Sequence, residues 1–217
     1  GLYDSALSIY EGLLAGSEGM ERGGILALMA EVHNLKSDWP RSLELGADAF
    51  AILAPLGSSE GLLRACHVMY HVKMRQGSMK DAESWATRQM ELAHDSGDAA
   101  ALAAAEHDLG TLFIQTRMFD ESLPHLEMAA AGRRRLGDLV GLGASLNNIG
   151  SVHHNRGAWE KAAEYYREAL SIKRSISDMR GIASTAGNLG LIRKIQGDFR
   201  GALRYMEEGL GISRRIG

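Results

Sequence analysis

Eight histidines are the residues of this 217-residue chain with the clearest capacity for chemistry. His67 and His71 are four positions apart, so on a helix they share one face and offer two nitrogens to a metal ion. His107 stands one sequence repeat later. Packed helices lie about 8–10 Å apart, whereas a Zn–N bond is about 2 Å, so ligands from neighbouring helices would be strained to meet. We therefore predict no metal site and no other cofactor.

Sequence motifs do not indicate a catalytic function. The sequence contains no phosphate loop of the form G-x4-G-K-[ST] and no Gly-x-Ser-x-Gly nucleophile elbow. The carboxylate pair Glu207-Glu208 is typical of a solvated helix face. The sequence therefore predicts a protein that is not an enzyme.

Charge and composition restrict the partners and the compartment. Lys and Arg number 24 against 27 Asp and Glu, a net charge of −3, which favours neither nucleic acid nor an anionic membrane. We interpret Arg133-Arg134-Arg135 and Lys173-Arg174 as cations at helix C-termini. Cys66 is the single cysteine and is expected to be a small buried hydrophobe. A lone thiol suits a reducing compartment, and no signal peptide is visible, so a cytoplasmic location is expected.

A forty-residue repeat organises the whole chain. It is seen most clearly in a large-residue series, followed three positions later by a small residue, and in two glycine series. The large-residue series is Trp39, Met79, Phe119, Trp159 and Phe199. The glycine series are Gly110, Gly150 and Gly190, and Gly57, Gly97 and Gly137 with Ser177 in the next copy. Such coincident series predict stacked copies of one structural unit.

Each copy has the signals of two helices. Asp98, Asp138 and Asp178 are suitable N-caps for a first helix of about 17 residues. Glycines such as Gly77, Gly157 and Gly197 would end that helix in the left-handed conformation. Asp38, Ser78 and Asp198 then suit the N-cap of a second helix, which starts near the large residue. Small residues would allow the helices of a pair to approach closely, and aromatic ones such as Trp159, Phe199, Tyr165 and Tyr205 would fill the gaps. Pro124 predicts a late start or a small kink in its helix.

The predicted fold is all-α: a right-handed superhelical α-solenoid of antiparallel helix pairs with about eleven helices. We expect residues 1–217 to be one solenoid domain and a fragment of a larger protein. Residues 1–16 would be the second helix of a truncated repeat. The helix-pair repeats would be 17–57, 58–97, 98–137, 138–177 and 178–217.

The motif Gly157-Ala158-Trp159-x2-Ala162-x2-Tyr165-Tyr166-x2-Ala169-Leu170, preceded by Asn148-Ile149-Gly150, resembles the tetratricopeptide repeat. The long period is similar to that of kinesin light chain, of cell-polarity scaffolds and of maltose-activator-like bacterial regulators. The resemblance implies that the first helix of each pair lines a concave groove. In the longer-period scaffolds an asparagine in this groove binds the backbone of a bound peptide, and Asn148 and Asn188 match that position. The alternative is that both asparagines cap or bridge neighbouring helices.

The register places further polar side chains in the same predicted groove. The candidate binding residues are Asn148, Asn188, Asp108, Asn147, His107, His67, His71, Ser151, His154 and Lys194. The cations that could contribute to a carboxylate clamp, Arg64, Arg75 and Lys194, are too scattered to form one.

Two functions remain open from the sequence. The first is a scaffold that binds a protein or peptide partner in the concave groove. The second, implied by the resemblance to bacterial regulators, is an effector-sensing segment of a multidomain signalling or transcription regulator. Neither requires nucleic acid or membrane contact. Apolar faces at the ends of the repeat array would also allow a homo-oligomer to form.

Overall fold

The computed structural model describes residues 1–57 and 59–216, and in these ranges it contains eleven α-helices and no strand. The all-α prediction and the predicted number of helices are therefore confirmed. A short 3₁₀ helix spans Ala54–Leu56. The helices are α1 (Leu2–Leu14), α2 (Gly19–Leu35), α3 (Trp39–Leu53), α4 (Ser59–Arg75), α5 (Met79–Ser96), α6 (Ala99–Gln115), α7 (Phe119–Leu136), α8 (Leu139–Asn155), α9 (Trp159–Ser175), α10 (Met179–Ile195) and α11 (Phe199–Ile216).

The chain forms two compact units, Gly1–Leu112 and Phe113–Gly217, and α6 crosses their boundary. In the first unit α2 packs against α3, and α4 packs against α5. In the second unit α8 packs against α9, and α10 packs against α11. Alternate helices also touch, α2 with α4 and α8 with α10, so the first helices of successive pairs are neighbours within each unit.

Local signals at the helix ends explain the register. The carboxylates of Asp138 and Asp178 accept hydrogen bonds from backbone N–H groups in the first turn of α8 and α10, each at 2.9 Å. Asp198 does the same for α11 at 2.8 Å. Ser78 is the N-cap residue of α5, as predicted, but its hydroxyl makes no capping bond. The three aspartates therefore cap their helices through the side chain and the serine does not, because a carboxylate is a stronger acceptor than a hydroxyl.

Pro124 does not delay its helix. α7 begins at Phe119, in the same register as α9 and α11, and continues to Leu136. The first turn closes through the bond from the Ser122 N–H to the Met118 carbonyl at 3.0 Å, before the proline is reached. A proline near the start of a helix removes a single N–H···O bond, and the rest of the helix is retained.

In each of the tight turns between helices described next, one residue has a left-handed backbone conformation. Gly97 and Gly137, which end α5 and α7, have φ of 68° and 72°. Ser177 holds the equivalent place after α9 with φ of 56°, and Arg117 holds the place of Gly157 with φ of 61°. Left-handed backbone costs a residue with a Cβ about 1–2 kcal/mol, so these two turns, and a third at Ser37 with φ of 62°, are strained where the others have glycine.

We expect Ser177→Gly to raise the free energy of unfolding by about 0.5–1 kcal/mol. Relief of the left-handed strain exceeds the extra entropy that glycine gives the unfolded chain. The matched reverse change is Gly137→Ser, where the added Cβ meets nothing within 4 Å, so only the backbone strain is introduced. Urea denaturation of both variants checks this. Equal midpoints for the wild type and both variants would contradict it.

Small and large residues interlock in the core of the second unit. A Cβ built on Gly150 would lie 2.7 Å from the ring of Tyr166, so the glycine is what lets α8 and α9 meet. Tyr166 is 1% exposed. In contrast, Trp159 and Phe199 are 40% and 69% exposed, so the expectation that they fill gaps between helices is wrong. Both stand at the first residue of a helix.

Cys66 is completely buried, and burial raises the pKa of its thiol to about 12. This confirms the interpretation of the single cysteine as a small core residue, because such a thiol stays protonated and unreactive at neutral pH. Among the described helices none is long and apolar enough to cross a lipid bilayer.

Candidate functional site

A chain of polar side chains joins α8, α9 and α10 in the second unit. Lys173 Nζ donates to Thr185 Oγ1 at 2.9 Å, and that hydroxyl donates to Asn147 Oδ1 at 3.0 Å. Asn188 Nδ2 donates to the same Asn147 Oδ1 at 3.3 Å. Thr185 is fully buried, whereas the two asparagines are half-buried. A row of hydrogen-bonded polar side chains thus extends from the core to the surface between α8 and α10. We call Asn147, Thr185 and Asn188 the asparagine row.

The direction of these bonds fixes how the two amides are oriented. Protonated Lys173 can only donate, so the Thr185 hydroxyl must accept from it and pass its own hydrogen to Asn147. The acceptor atom of Asn147 is therefore its oxygen, and its Nδ2 makes no hydrogen bond among the described residues. Asn188 uses Nδ2 toward Asn147, and its Oδ1 has no hydrogen-bond partner in the described ranges. Together the two side chains present one donor and one acceptor.

Lys173 lies in the last turn of α9, as the sequence predicted, but its side chain is buried. It is 7% exposed, and its stem packs beside Gly143 on α8. One repeat earlier, Arg133 donates to Ser145 Oγ at 2.8 Å and to the Gly141 carbonyl at 2.9 Å. The cations at 133 and 173 therefore reach inward to the hydroxyls at 145 and 185. The forty-residue register of both pairs was the signal that sequence reasoning missed.

Burial lowers the pKa of Lys173, partly offset by the charge of Asp178. In the window between this lowered pKa and the ordinary lysine value of about 10.4, the unfolded chain binds more protons than the folded chain, so stability rises with pH. Below the window the folded protein bears the full cost of a buried charge.

We therefore expect the stability of Lys173→Met relative to wild type to be greatest near pH 7 and to fall as the pH approaches 10. Taking this difference cancels the titration of all other groups. Denaturant unfolding at pH 7, 8.5 and 10 measures it, and Lys194→Met, which removes an exposed cation, is the control. A difference that stays constant with pH for Lys173→Met would contradict the prediction.

Three predicted groove residues meet in the first unit. His67 Nδ1 lies 2.9 Å from Asp108 Oδ2, and His67 Nε2 lies 3.2 Å from His71 Nε2. One ligand atom from each residue can be chosen so that all lie within 4.8 Å of one another. The prediction that ligands from neighbouring helices would be strained to meet rested on the distance between helix axes, and here side chains from α4 and α6 come into contact. Two side chains reaching from α4 and α6 span the gap between the helix axes.

The pKa values of the two histidines are shifted in opposite directions. Burial disfavours the charged form of His67, but the hydrogen bond and the charge of Asp108 outweigh it and raise its pKa. Burial lowers the pKa of His71, and the neighbouring His67 adds to that effect. The carboxylate therefore holds its proton on His67, and His71 is the neutral partner of the two.

The remaining predicted residues are spread along their helices. Asn148, Ser151 and His154 are half-buried on α8, and Ser151 is hydrogen bonded to the Tyr166 side chain. His107 is half-buried on α6, and Lys194 is exposed near the end of α10. Within the described residues, the predicted site residues therefore meet in the His67–His71–Asp108 cluster of the first unit and in the asparagine row of the second.

Comparison with known proteins identifies the class to which this fold belongs. A family model described as tetratricopeptide repeat matches residues 141–215. A comparison with curated protein sequences finds no significant match. BtubC (BKLC) from P. vanneervenii superimposes with a TM-score of 0.80 at 18% identity, over 99% of this chain and 89% of that one. A putative kinesin light chain of Podosopora anserina superimposes with a TM-score of 0.70 at 15% identity, over 92% and 99%.

Two further structures widen the range of relatives. A signal-transduction ATPase with numerous domains and a tetratricopeptide-repeat sensor, from Pyrococcus horikoshii, gives a TM-score of 0.83 at 12% identity, and covers 99% of this chain and 33% of that one. A Rap protein complexed with competence and sporulation factor gives 0.75 at 14%, over 95% and 58%. The molecule is a helical-repeat protein. Residues 141–215 match the tetratricopeptide-repeat family model by sequence, and over almost its whole length the chain shares the fold of these structures.

Proposed function

We propose that the chain is a scaffold that binds an extended peptide segment of a protein partner, and that the asparagine row of the second unit reads the peptide backbone. The observation that carries the proposal is the uncommitted donor of Asn147 next to the uncommitted acceptor of Asn188. An extended peptide unit offers one C=O and one N–H, which is the complement of this arrangement. The direct hydrogen bond between the two amides bridges α8 and α10. It also keeps both side chains in the orientation that a peptide would need.

Preorganisation supports the same proposal. Buried Lys173 and Thr185 hold the Asn147 amide in one orientation, so little side-chain freedom is lost when a ligand binds. Leu191, 39% exposed one turn beyond Asn188, offers apolar contact to a peptide side chain. Fold relatives add support, because one of them, a Rap protein, was solved in complex with competence and sporulation factor.

Selection from a displayed library of random peptides tests the proposal. A selected peptide should lose at least tenfold in affinity for Asn147→Ala with Asn188→Ala, since its backbone bonds to these two half-buried side chains are lost. Methylating the backbone nitrogen of the peptide residue at the site should cause a similar loss. Asn155→Ala, an exposed asparagine at the end of α8, is the matched control and should bind as the wild type does.

Binding that is unchanged in the double variant, with the fold intact by circular dichroism, would place the peptide site elsewhere and overturn the assignment to this row. Unchanged binding of the N-methylated peptides would show that the protein recognises the side chains of the peptide and not its backbone.

A second candidate is a sensing segment within a multidomain regulator. It is favoured by the match to the repeat-containing ATPase from Pyrococcus horikoshii, which carries its tetratricopeptide repeats as a sensor. A thermal-shift screen of small metabolites distinguishes the two. A compound that stabilises the wild type and not the double asparagine variant would favour effector sensing through the same row.

A further inference from the structure

The His67–His71–Asp108 cluster has the geometry of a metal site. His67 and His71 stand one helical turn apart on α4, with their rings nearly perpendicular at 87°. Their Nε2 atoms face each other at 3.2 Å. Two nitrogens bound to one Zn²⁺ with bonds of about 2.0–2.1 Å at a tetrahedral angle lie about 3.3 Å apart. The separation of the two nitrogens therefore matches the separation that one ion bound to both rings requires.

Asp108 supplies the outer partner that a metal-binding histidine requires. Its Oδ2 lies 2.9 Å from His67 Nδ1, so Nδ1 carries a hydrogen, and an ion that binds at Nε2 displaces the proton from that nitrogen. Metal-binding histidines almost always donate their second nitrogen to a carboxylate, a carbonyl or water, which fixes the ring and increases its basicity. The contact therefore prepares Nε2 as a ligand.

The cluster is rigid on one side and open on the other. The Tyr70 hydroxyl donates to the Asp108 backbone carbonyl at 2.8 Å, and Tyr70 is 1% exposed, so α6 is tied to α4 at this residue. The side chain of Asp108 is 5% exposed. The side chain of His67 is 38% exposed, which gives an ion access from solvent.

We propose that His67 and His71 bind a divalent late first-row transition-metal ion through their Nε2 atoms, with Asp108 as the outer carboxylate that orients His67. Imidazole nitrogen is a ligand suited to Zn²⁺, Ni²⁺ and Cu²⁺. Two protein ligands leave coordination positions for water or for a donor atom of a bound partner. The proposal is independent of the peptide site, which lies on the other unit.

Titration of the tag-free protein with ZnCl₂, followed by calorimetry, tests this site. We expect saturable binding of one Zn²⁺ that depends on His71. His71→Gln should abolish that binding event, and Asp108→Asn should weaken it about 10–100-fold, the range found when an outer carboxylate is removed. His94→Gln, which changes a histidine whose side chain is 81% exposed, is the control and should bind as the wild type does.

Thermal unfolding with Zn²⁺ and with EDTA checks that every variant is folded and gives a second readout. An ion that binds the native state raises the unfolding temperature of the wild type and of His94→Gln, and leaves His71→Gln unchanged. If the wild type binds no Zn²⁺, or if His71→Gln binds it as tightly as the wild type, the site does not exist. His67→Gln, which removes the other ligand, should also abolish Zn²⁺ binding, and unchanged binding in this variant would equally contradict the site.

Discussion

Replacing Tyr166 with alanine is expected to lower the free energy of unfolding by about 3–5 kcal/mol, the cost of removing a fully buried aromatic side chain. Tyr166 is 1% exposed and covers Gly150 of the neighbouring helix. Its ring is also hydrogen bonded through the hydroxyl to Ser151. Tyr166→Phe, which removes only that hydroxyl, should cost about 1 kcal/mol. Denaturant unfolding of both variants measures these changes.

The same contact predicts an effect of Gly150→Ala. The added Cβ would lie 2.7 Å and 2.8 Å from two ring carbons of Tyr166, so a buried aromatic ring must move, at a cost of about 1–3 kcal/mol. In the double variant with Tyr166→Ala the methyl group enters the space that the ring has left. The two costs should therefore not add, and a double-mutant cycle should give a coupling of about 1 kcal/mol or more.

Gly187→Ala is the matched control for the glycine. It stands inside α10, and a Cβ there meets nothing within 4 Å. Alanine is a better helix former than glycine by about 1 kcal/mol, so this variant should be slightly more stable than the wild type. If Gly150→Ala were as stable as Gly187→Ala, close packing of Tyr166 over Gly150 would not be what requires the glycine.

The helices could be predicted because their ends have local causes. An aspartate such as Asp138 or Asp178 stands within three residues of the N–H it caps. A glycine such as Gly157 takes the left-handed turn by itself. Such signals lie within a few residues of one another, so a single sequence with a fixed period reveals them, and the fold relatives confirm the all-α repeat architecture.

The polar clusters could not be predicted in the same way, because they depend on which atoms side chains reach after the helices have packed. Lys173 looks like a helix-end cation, and its partner Thr185 belongs to the next repeat. The spacing of helix axes is much longer than a metal–ligand bond, but side chains from two helices span most of it. The lengths of these side chains bring His67 and Asp108 to 2.9 Å.

Replacing His67 with leucine is the other change from which we expect a large effect, a loss of about 2 kcal/mol. It leaves the Asp108 carboxylate, 5% exposed, without the imidazole that donates to it. Breaking a buried ion pair costs about 3–5 kcal/mol, and the partial exposure of His67 reduces this. EDTA in the buffer keeps any bound ion out of the measurement.

The double variant His67→Leu with Asp108→Leu should recover most of that loss, because replacing both partners of a buried ion pair with apolar side chains is often neutral or stabilising. The Tyr70 hydroxyl keeps its acceptor in this variant, since it bonds the backbone carbonyl of residue 108 and not the side chain. Urea unfolding of the wild type, His67→Leu and the double variant gives the comparison. If the double variant were less stable than His67→Leu, the aspartate would stabilise the fold through contacts other than His67, and the imidazole would not be the group that makes its burial tolerable.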